Sequence, residues 1–298
     1  MKILLTGPNG FLGKALYEEL KSHTITTLSR NNSSHNIDLS CTIPYFEKSF
    51  DLVIHLAGKA HFVPKTDLEK HLFHQVNVLG TKNLLEGLSK KNLKHFVFIS
   101  SVSVYGLIVG ENINENYSLL AEDPYGKSKI DAEFVVKKWC EKYNVTYTIL
   151  RLPLIVGSNP PGNLGSMIQG IKKGYYFNID GGNAKKSMVL ASDIAKFMLK
   201  AAEVGGTYNL TDGIHPTFNE LSKSIAINLN KSFVPNMPLF IANVLAKIGD
   251  LLGNTFPINS NKLSKITSTL TFDDSKARIA FGWNPTPVLE SFNLYEDA

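Results

Sequence analysis

The sequence has few cysteines and no long hydrophobic run. Its two cysteines, Cys41 and Cys140, lie in unrelated segments, so we expect neither a disulfide framework nor a thiolate metal site. No uncharged run is long enough to span a bilayer, and the apolar run after Lys2 is too short for a signal peptide. These absences favour a soluble cytoplasmic protein without an integral membrane segment.

Charge of either sign is also limited. The 298 residues include 31 Lys and Arg against 26 Asp and Glu, a formal net charge of +5. No basic block resembles a nucleic-acid stripe, so we expect no nucleic-acid partner. The small positive surplus suits a phosphorylated ligand, and the length allows one large domain or two unequal ones.

One stretch near the C-terminus has apolar residues at helical spacing. It runs from 239 to 252, and its apolar members are Ile241, Val244, Leu245, Ile248, Leu251 and Leu252. Such a stripe is typical of a packed helix, and its own polar face lacks the basic cluster of an interfacial helix. We therefore expect this helix to pack against the protein.

The start of the chain predicts a dinucleotide site. An apolar run from Lys2 to Thr6 leads into Gly7, Gly10 and Gly13, and helical periodicity follows. The first glycine permits a tight turn, the second lets backbone N–H groups approach a pyrophosphate, and the third lets the helix pack near the strand. The N-terminus of that helix favours an anion.

Arg30 follows the second predicted strand, 24–28, in the segment Ser29-Arg30-Asn31. An acidic residue at this position would accept a hydrogen bond from the adenosine ribose 2′-hydroxyl. A guanidinium can instead clamp a 2′-phosphate, so the sequence favours NADP over NAD. The alternative is a solvated arginine at a strand end.

Strands and helices alternate over the first 200 residues. Further strands are predicted at 51–55, 94–99, 145–151, 188–191 and 207–210, and helices at about 67–90, 123–143, 193–202 and 217–229. This alternation predicts an α/β fold with a doubly wound parallel sheet and helices on both faces.

Three residues form a candidate catalytic group. Tyr125 and Lys129 are one helical turn apart on the same face, and Ser101 follows the fourth strand. A phenol with a pKa near 10 needs roughly 4 kcal/mol of stabilisation of its phenolate to act as a base at neutral pH. A neighbouring ammonium and a cationic nicotinamide would both favour the phenolate. Tyr125 could then exchange a proton with a substrate while the nicotinamide handles hydride.

Together these motifs resemble the extended short-chain dehydrogenase/reductase superfamily, in its nucleotide-sugar epimerase/dehydratase branch. The segments that carry the resemblance are Thr6–Gly13, Asp38-Leu39, His55–Gly58, Val76–Thr81, Arg151–Pro153, Asp274–Ala277 and Phe281–Trp283. The resemblance implies a Rossmann-type domain, 1–156 plus 187–210, and a smaller C-terminal substrate-binding lobe, 157–186 plus 211–298. It also implies a homodimer through the helix that carries Ile130, Phe134, Val135 and Trp139, although sheet packing could equally bury these side chains.

The resemblance also implies the site residues. The catalytic residues are Ser101, Tyr125 and Lys129, and Ser101, Tyr125, Asn163 and Lys186 would contact the substrate. The expected cofactor contacts are Gly7, Asn9, Gly10, Phe11, Leu12, Gly13, Arg30, Asp38, Leu39, Leu56, Ala57, Gly58, Asn77, Tyr125, Lys129 and Pro153. Lys129 is expected to lower the pKa of Tyr125 and to bind the nicotinamide ribose.

At some positions the chain differs from individual subfamilies, and these differences narrow the range of expected activities. Val102-Ser103 replaces the Asp-Glu pair of sugar 4,6-dehydratases, and Arg30, Leu154 and Lys186 differ from typical UDP-galactose 4-epimerases. Segments 61–63, 162–164, 207–213 and 239–252 are closer to UDP-4-keto-6-deoxy-N-acetylhexosamine 4-reductases, which supply precursors for surface polysaccharide. We therefore expect such a reductase acting on a UDP-sugar, with a UDP-sugar 4-epimerase as the alternative.

The residues argue against two further classes of protein. His61, His71 and His74 lie near one another in sequence, but no further ligand has convincing spacing, so we expect no catalytic metal. The different-class alternative is a non-catalytic NADP-sensing regulator. The complete Ser101, Tyr125 and Lys129 set argues against it, because a sensor needs no proton donor.

Overall fold

The computed structural model describes residues 1–60, 64–88, 92–253 and 258–291. The first half contains β1 (Lys2–Thr6), α1 (Phe11–Glu19), β2 (Thr24–Ser29), β3 (His35–Asn36), β4 (Leu52–His55), α2 (Asp67–Phe73), a π-helical segment (His74–Leu79), α3 (Gly80–Leu88), β5 (His95–Ser101), a 3₁₀ turn (Val102–Tyr105), β6 (Gly110–Ile113) and α4 (Pro124–Tyr143).

The second half begins with the strand that neighbours β5. It contains β7 (Thr146–Leu152), β8 (Leu154–Val156), α5 (Gly162–Lys173), β9 (Asn178–Ile179), a 3₁₀ turn (Asp180–Gly182), β10 (Met188–Leu190), α6 (Ala191–Val204), β11 (Gly206–Asn209), α7 (Phe218–Asn228), β12 (Asn236–Met237), α8 (Leu239–Leu252), α9 (Ser260–Thr267), β13 (Leu270–Phe272), α10 (Ser275–Phe281) and α11 (Val288–Ser291).

The central sheet has seven parallel strands in the order β11-β7-β5-β4-β1-β2-β3. Its inner strands are continuous apolar runs because helices cover both faces. Leu16 of α1 and Met198 of α6 pack on one face, and Leu84 of α3 and Val136 of α4 pack on the other. The predicted α/β, doubly wound fold is confirmed.

Two elements differ from the sequence prediction. The strand predicted at 188–191 pairs with β8 in a separate two-stranded sheet and does not join the central one. The single helix predicted at 67–90 is divided into α2, the π-helical segment and α3, and its last two residues lie outside the described ranges. A π-helical segment is frequently found at a functional site, and this one contains Asn77.

Helix α8 corrects the expectation that its apolar stripe is packed. The residues buried on α8 are Ala242, Ala246 and Gly249, and the two alanines pack in a small cluster with Ile179 and Leu263. Leu245 is partly buried, and the other members of the stripe are exposed, which are Ile241, Val244, Ile248, Leu251 and Leu252. No helix in the described part of the chain is long and apolar enough to cross a membrane.

Candidate active site

The glycine-rich turn after β1 adopts the close-packed form that a dinucleotide loop requires. Gly7 has a φ of 71°, and a Cβ there would lie 3.0 Å from the backbone nitrogen of Ala57. A Cβ on Gly13 would lie 2.1 Å from the carbonyl oxygen of Gly7, so α1 can approach the turn only with glycine at this position. The loop is thus held tightly between α1 and the turn that follows β4.

The start of α1 leaves its backbone N–H groups available to a ligand. Gly10 is the N-cap, and no side chain caps the helix. Phe11 begins the helix, and Leu12 and Gly13 are buried beneath it. An uncapped N-terminus beside a glycine cradle is a ready anion site. These residues fit the diphosphate of a dinucleotide.

The Asn9 side chain connects this loop to the end of β2. Its Nδ2 donates to the carbonyl oxygen of Asn31 at 2.8 Å and to Ser29 Oγ at 3.1 Å. The exposed Arg30 lies between these two acceptors in the chain. Hydrogen bonds from Ser40 and, to a smaller extent, the Arg30 charge lower the pKa of the Asp38 carboxyl, while burial raises it in part. The predicted cofactor contacts Asn9, Arg30 and Asp38 therefore lie around one turn.

A buried polar chain beneath the loop was not recognised in the sequence. The Thr6 hydroxyl is 2.7 Å from His55 Nδ1, and His55 Nε2 is 3.0 Å from the Thr81 hydroxyl. Thr81 donates its proton to the Asn77 carbonyl oxygen, so it accepts from His55 Nε2. Burial first, and the Lys129 charge second, lower the pKa of His55 to about 3. His55 is therefore a neutral, structural histidine.

Asn77 and Lys129 lie under the Gly58 turn. Asn77 accepts from the Lys59 backbone N–H at 2.6 Å and donates to the Ser128 hydroxyl at 2.8 Å. A Cβ on Gly58 would lie 3.0 Å from Asn77 Oδ1 and 3.6 Å from Lys129 Nζ. The structure therefore brings these predicted cofactor residues from three separate segments into one place.

Lys129 is an almost fully buried ammonium. Its Nζ donates to the Ile99 carbonyl oxygen at 2.8 Å and lies 4.8 Å from the centroid of the Phe98 ring. Burial lowers the pKa of Lys129 to about 8, although the Glu133 carboxylate raises it in part. The lysine is thus held beneath the carboxyl end of β5, where Ser101 ends the strand.

Tyr125 lies in the first turn of α4. Asp123 caps this helix, accepting from the backbone N–H groups of Tyr125 and Gly126 at 3.1 and 3.0 Å. The Tyr125 ring contacts Phe73 edge to face, with the centroids 6.0 Å apart. The cap and the ring contact fix where the phenol lies, and Asp123 was not among the predicted residues.

The phenol of Tyr125 lies near the Ser101 side chain. Burial is the largest influence and raises the pKa of Tyr125; the nearby Ser101 hydroxyl lowers it, and the Asp123 charge raises it further. Ser101 Oγ also accepts from the Ser103 backbone N–H at 3.2 Å. The phenol is protonated at neutral pH in this structure, and its acidification by Lys129 and a bound nicotinamide stays a prediction.

An ion pair buried next to Lys129 was also missed. Arg151 donates to both Glu133 carboxylate oxygens, at 2.8 and 3.0 Å, and the Ser100 hydroxyl donates to the same group at 2.6 Å. Arg151 also donates to the Tyr105 hydroxyl at 3.1 Å. Both charges are satisfied, as burial of an ion pair demands. Glu133, four residues after Lys129, was the available sequence signal.

The remaining predicted contacts are more dispersed. Leu39 is buried, and Leu56 and Pro153 are partly buried at the ends of β4 and β7. Asn163 is exposed in the first turn of α5. Burial, with the nearby Lys265 charge, lowers the pKa of Lys186 to about 8. The substrate roles of Asn163 and Lys186 stay predictions.

Two other sequence hypotheses concern metals and dimers. Among the described residues no group of three or more His, Cys, Asp and Glu side chains could hold a metal ion, and His61 lies outside those residues.

Phe134 is 56% exposed and lines a groove of about 510 Å³ along α4. Val135 and Trp139, which also line the groove, pack partly against the core.

Comparisons with known proteins agree with this geometry. Residues 3–211 match the NAD dependent epimerase/dehydratase family. The chain is 29% identical to an N-acetyl-α-D-glucosaminyl-diphospho-ditrans,octacis-undecaprenol 4-epimerase of Escherichia coli O157:H7, over 92% of this chain and 88% of that one. It is 26% identical to a UDP-glucose 4-epimerase of Vibrio cholerae, over 97% and 92%.

Solved structures show the same fold. The UDP-glucose 4-epimerase of Thermotoga maritima, determined with UDP-glucose, aligns with a TM-score of 0.76 at 21% identity, over 99% of this chain and 97% of that one. RMD from Pseudomonas aeruginosa, complexed with NADPH, aligns with a TM-score of 0.76 at 22% identity, over 98% and 96%.

Proposed function

We propose that this chain, which belongs to the NAD dependent epimerase/dehydratase family, is an enzyme that acts at C4 of a nucleotide sugar with a nicotinamide cofactor. The observation that carries the proposal is the proximity of the Ser101 side chain, at the end of β5, to the Tyr125 phenol in the first turn of α4. The Lys129 ammonium is buried one helical turn further along α4.

The cofactor would be held by the loop after β1 and by the turns after β2 and β4. The N–H groups at the start of α1 would bind its diphosphate, and Asn77 and Lys129 lie beneath the Gly58 turn, where the nicotinamide end would bind. A bound nicotinamide supplies hydride transfer at the sugar carbon. Arg30 supports NADP as the cofactor, since an exposed guanidinium at this turn can pair with a 2′-phosphate.

Tyr125 would transfer the proton. In reduction of a 4-keto sugar the phenol donates its proton to the carbonyl oxygen, and the Ser101 hydroxyl orients that oxygen. Lys129 would stabilise the resulting phenolate through its positive charge. The raised pKa of Tyr125 keeps the phenol protonated at neutral pH, so it can act as a donor.

The proposed reaction is reduction of a UDP-4-keto-6-deoxyhexosamine, as part of surface polysaccharide synthesis. The sugar would lie between the Rossmann-type domain, 1–156 plus 187–210, and the substrate lobe, 157–186 plus 211–298. Epimerisation at C4 is the second candidate, favoured by the activities of the Escherichia coli and Vibrio cholerae relatives. In that reaction Tyr125 would first remove the hydroxyl proton and later return it.

A homodimer through α4 is a further part of the proposal. Phe134 leaves its ring exposed beside a groove between α4 and the π-helical segment. A second copy of the same helix would cover this apolar surface in an isologous contact. Sedimentation of wild type and Phe134→Glu tests this, because only the variant should be monomeric.

The catalytic assignment is tested by Tyr125→Phe. Oxidation of NADPH is followed with a UDP-4-keto-6-deoxyhexosamine, and interconversion of UDP-glucose and UDP-galactose is followed without added cofactor. Removing one general acid–base group should lower kcat about 10²- to 10⁴-fold. Tyr143→Phe, at the opposite end of the same helix, serves as the matched control.

The two assays also separate the alternatives. Turnover with NADPH favours the reductase, and interconversion with retained cofactor favours the epimerase. If Tyr125→Phe binds NADPH as wild type does and keeps full turnover in whichever assay is active, the phenol has no catalytic role. Tight NADPH binding with no turnover in either assay would instead favour a cofactor-sensing regulator.

A further inference from the structure

Helix α8 turns its largest apolar side chains into solvent. Leu251 is 88% exposed, Phe240 is 70% exposed and Val244 is 57% exposed. At 100° per residue these three side chains, with Ile241, Ile248 and Leu252, lie on one continuous face of the helix. We name these six outward residues the α8 surface. Leaving so much apolar area in water is unfavourable.

The inward side of α8 already packs against the protein, so rotation of the helix cannot bury the α8 surface. Ala242, Ala246 and Gly249 are buried, and Asp250 accepts from the Ser260 backbone N–H of α9 at 3.0 Å. This contact turns the acidic side chain toward α9 and away from the α8 surface. The orientation of the helix is therefore fixed by contacts with the protein, and the apolar face is its outer side.

Aromatic residues extend the apolar area at the start of α8. The short strands β9 and β12 pair with Asn178 opposite Asn236, just before the helix begins. Phe177 precedes the first of these strands and Phe233 precedes the second, and both rings are exposed. Exposed phenylalanine and leucine beside a surface helix are typical of proteins that bind a bilayer interface.

The segments next to α8 are basic overall. Segments 231–253 and 258–267 contain four lysines, which are Lys231, Lys247, Lys262 and Lys265, and one acidic residue, Asp250. Lys247 lies at the margin of the α8 surface, and Lys262 and Lys265 lie on α9. Asp180, in the turn after β9, adds one acidic residue in a segment that contacts α9. Tertiary structure thus provides basic residues that the polar face of α8 lacks.

We propose that the α8 surface docks on an anionic lipid bilayer. The apolar side chains would enter the interface between headgroups and acyl chains, while the surrounding lysines attract the negative headgroups. The charge of these segments selects this occupant over a second copy of the chain, which would bring like charges together. The inference concerns binding alone and does not depend on the proposed reaction.

Vesicle co-sedimentation of the full chain tests the proposal. We expect binding to vesicles of phosphatidylcholine with phosphatidylglycerol, weaker binding to phosphatidylcholine alone, and loss of binding at high salt. Phe240→Ser with Leu251→Ser should lower the partition coefficient about tenfold or more. Lys262→Gln with Lys265→Gln should weaken anionic binding by about fivefold for each lysine.

The matched control is Ile279→Ser in α10, because Ile279 is 86% exposed and lies outside the α8 surface. It should bind as wild type does, and thermal unfolding checks that every variant is folded. The proposal is overturned if wild type does not bind anionic vesicles, or if the α8 variant and the control bind equally. A change from dimer to monomer in the α8 variant, without vesicle binding by wild type, would identify an interface between copies instead. Tyr125→Phe should bind vesicles normally, which separates this test from that of the reaction.

Discussion

Replacing Lys129 by methionine should make the protein more stable at neutral pH while it removes the proposed catalytic ammonium. Burial lowers the pKa of Lys129 from its ordinary 10.5 to about 8. Holding the lysine charged in the folded protein therefore costs about 3 kcal/mol at pH 7. The lost hydrogen bond to the Ile99 carbonyl oxygen offsets about 1 kcal/mol. The expected net gain for Lys129→Met is about 2 kcal/mol.

The sign of the pH dependence follows from the same pKa values. Because the folded pKa lies below the unfolded one, the unfolded chain binds more protons between pH 8 and 10.5. Wild-type stability therefore rises relative to the variant as the pH increases through this window. The advantage of Lys129→Met should shrink from about 2 kcal/mol at neutral pH to near zero around pH 9.5.

Urea denaturation of wild type, Lys129→Met and Lys127→Met at both pH values measures this effect. Lys127 is exposed on the same helix, so its variant should differ from wild type by less than about 0.5 kcal/mol at either pH. Equal stability differences for Lys129→Met at the two pH values would refute the view that Lys129 is a desolvated ammonium. If Lys129→Met turned over substrate as fast as wild type, Lys129 would have no catalytic role.

Two further predictions concern the cofactor site. Gly13→Ala places a Cβ 2.1 Å from a carbonyl oxygen, whereas Gly10→Ala meets its nearest atom at 3.4 Å. Thermal unfolding should therefore show that Gly13→Ala lowers the free energy of unfolding by about 1–3 kcal/mol, while Gly10→Ala changes it little. Equal decreases for the two variants would contradict the packing argument. Arg30→Ala should raise the KM for NADPH about 10- to 100-fold and leave that for NADH nearly unchanged; a similar effect on both would show that Arg30 meets no 2′-phosphate.

Helix α8 illustrates where reasoning from sequence alone was wrong. Its spacing correctly predicted a helix, because periodicity is a local property of the chain. The same spacing could not show which side faces the protein. Ala242 and Ala246 pack inward because a neighbouring helix and strand approach closely there, and that approach involves residues far away in sequence.

The polar groups under the active site show the same limit. His55 was noted within a motif, but its neutral state depends on burial and on the Lys129 charge, and its hydrogen-bond partners Thr6 and Thr81 lie 49 and 26 residues away from it. Glu133 and Arg151 come from a helix and a strand that meet only in the folded protein. Hydrogen-bond partners of buried groups are a tertiary property, so the spacing of residue types does not reveal them.

The sequence by itself determined the alternation of strands and helices, the glycine-rich turn after the first strand, and the single helical face shared by Tyr125 and Lys129. Each follows from short-range geometry: the apolar period, the positive φ that glycine allows, and a turn of 3.6 residues. Only the tertiary structure decided the protonation of those two side chains and the outward direction of α8. Burial and charge at a residue depend on every segment that packs around it, and the chain brings those segments together only when it folds.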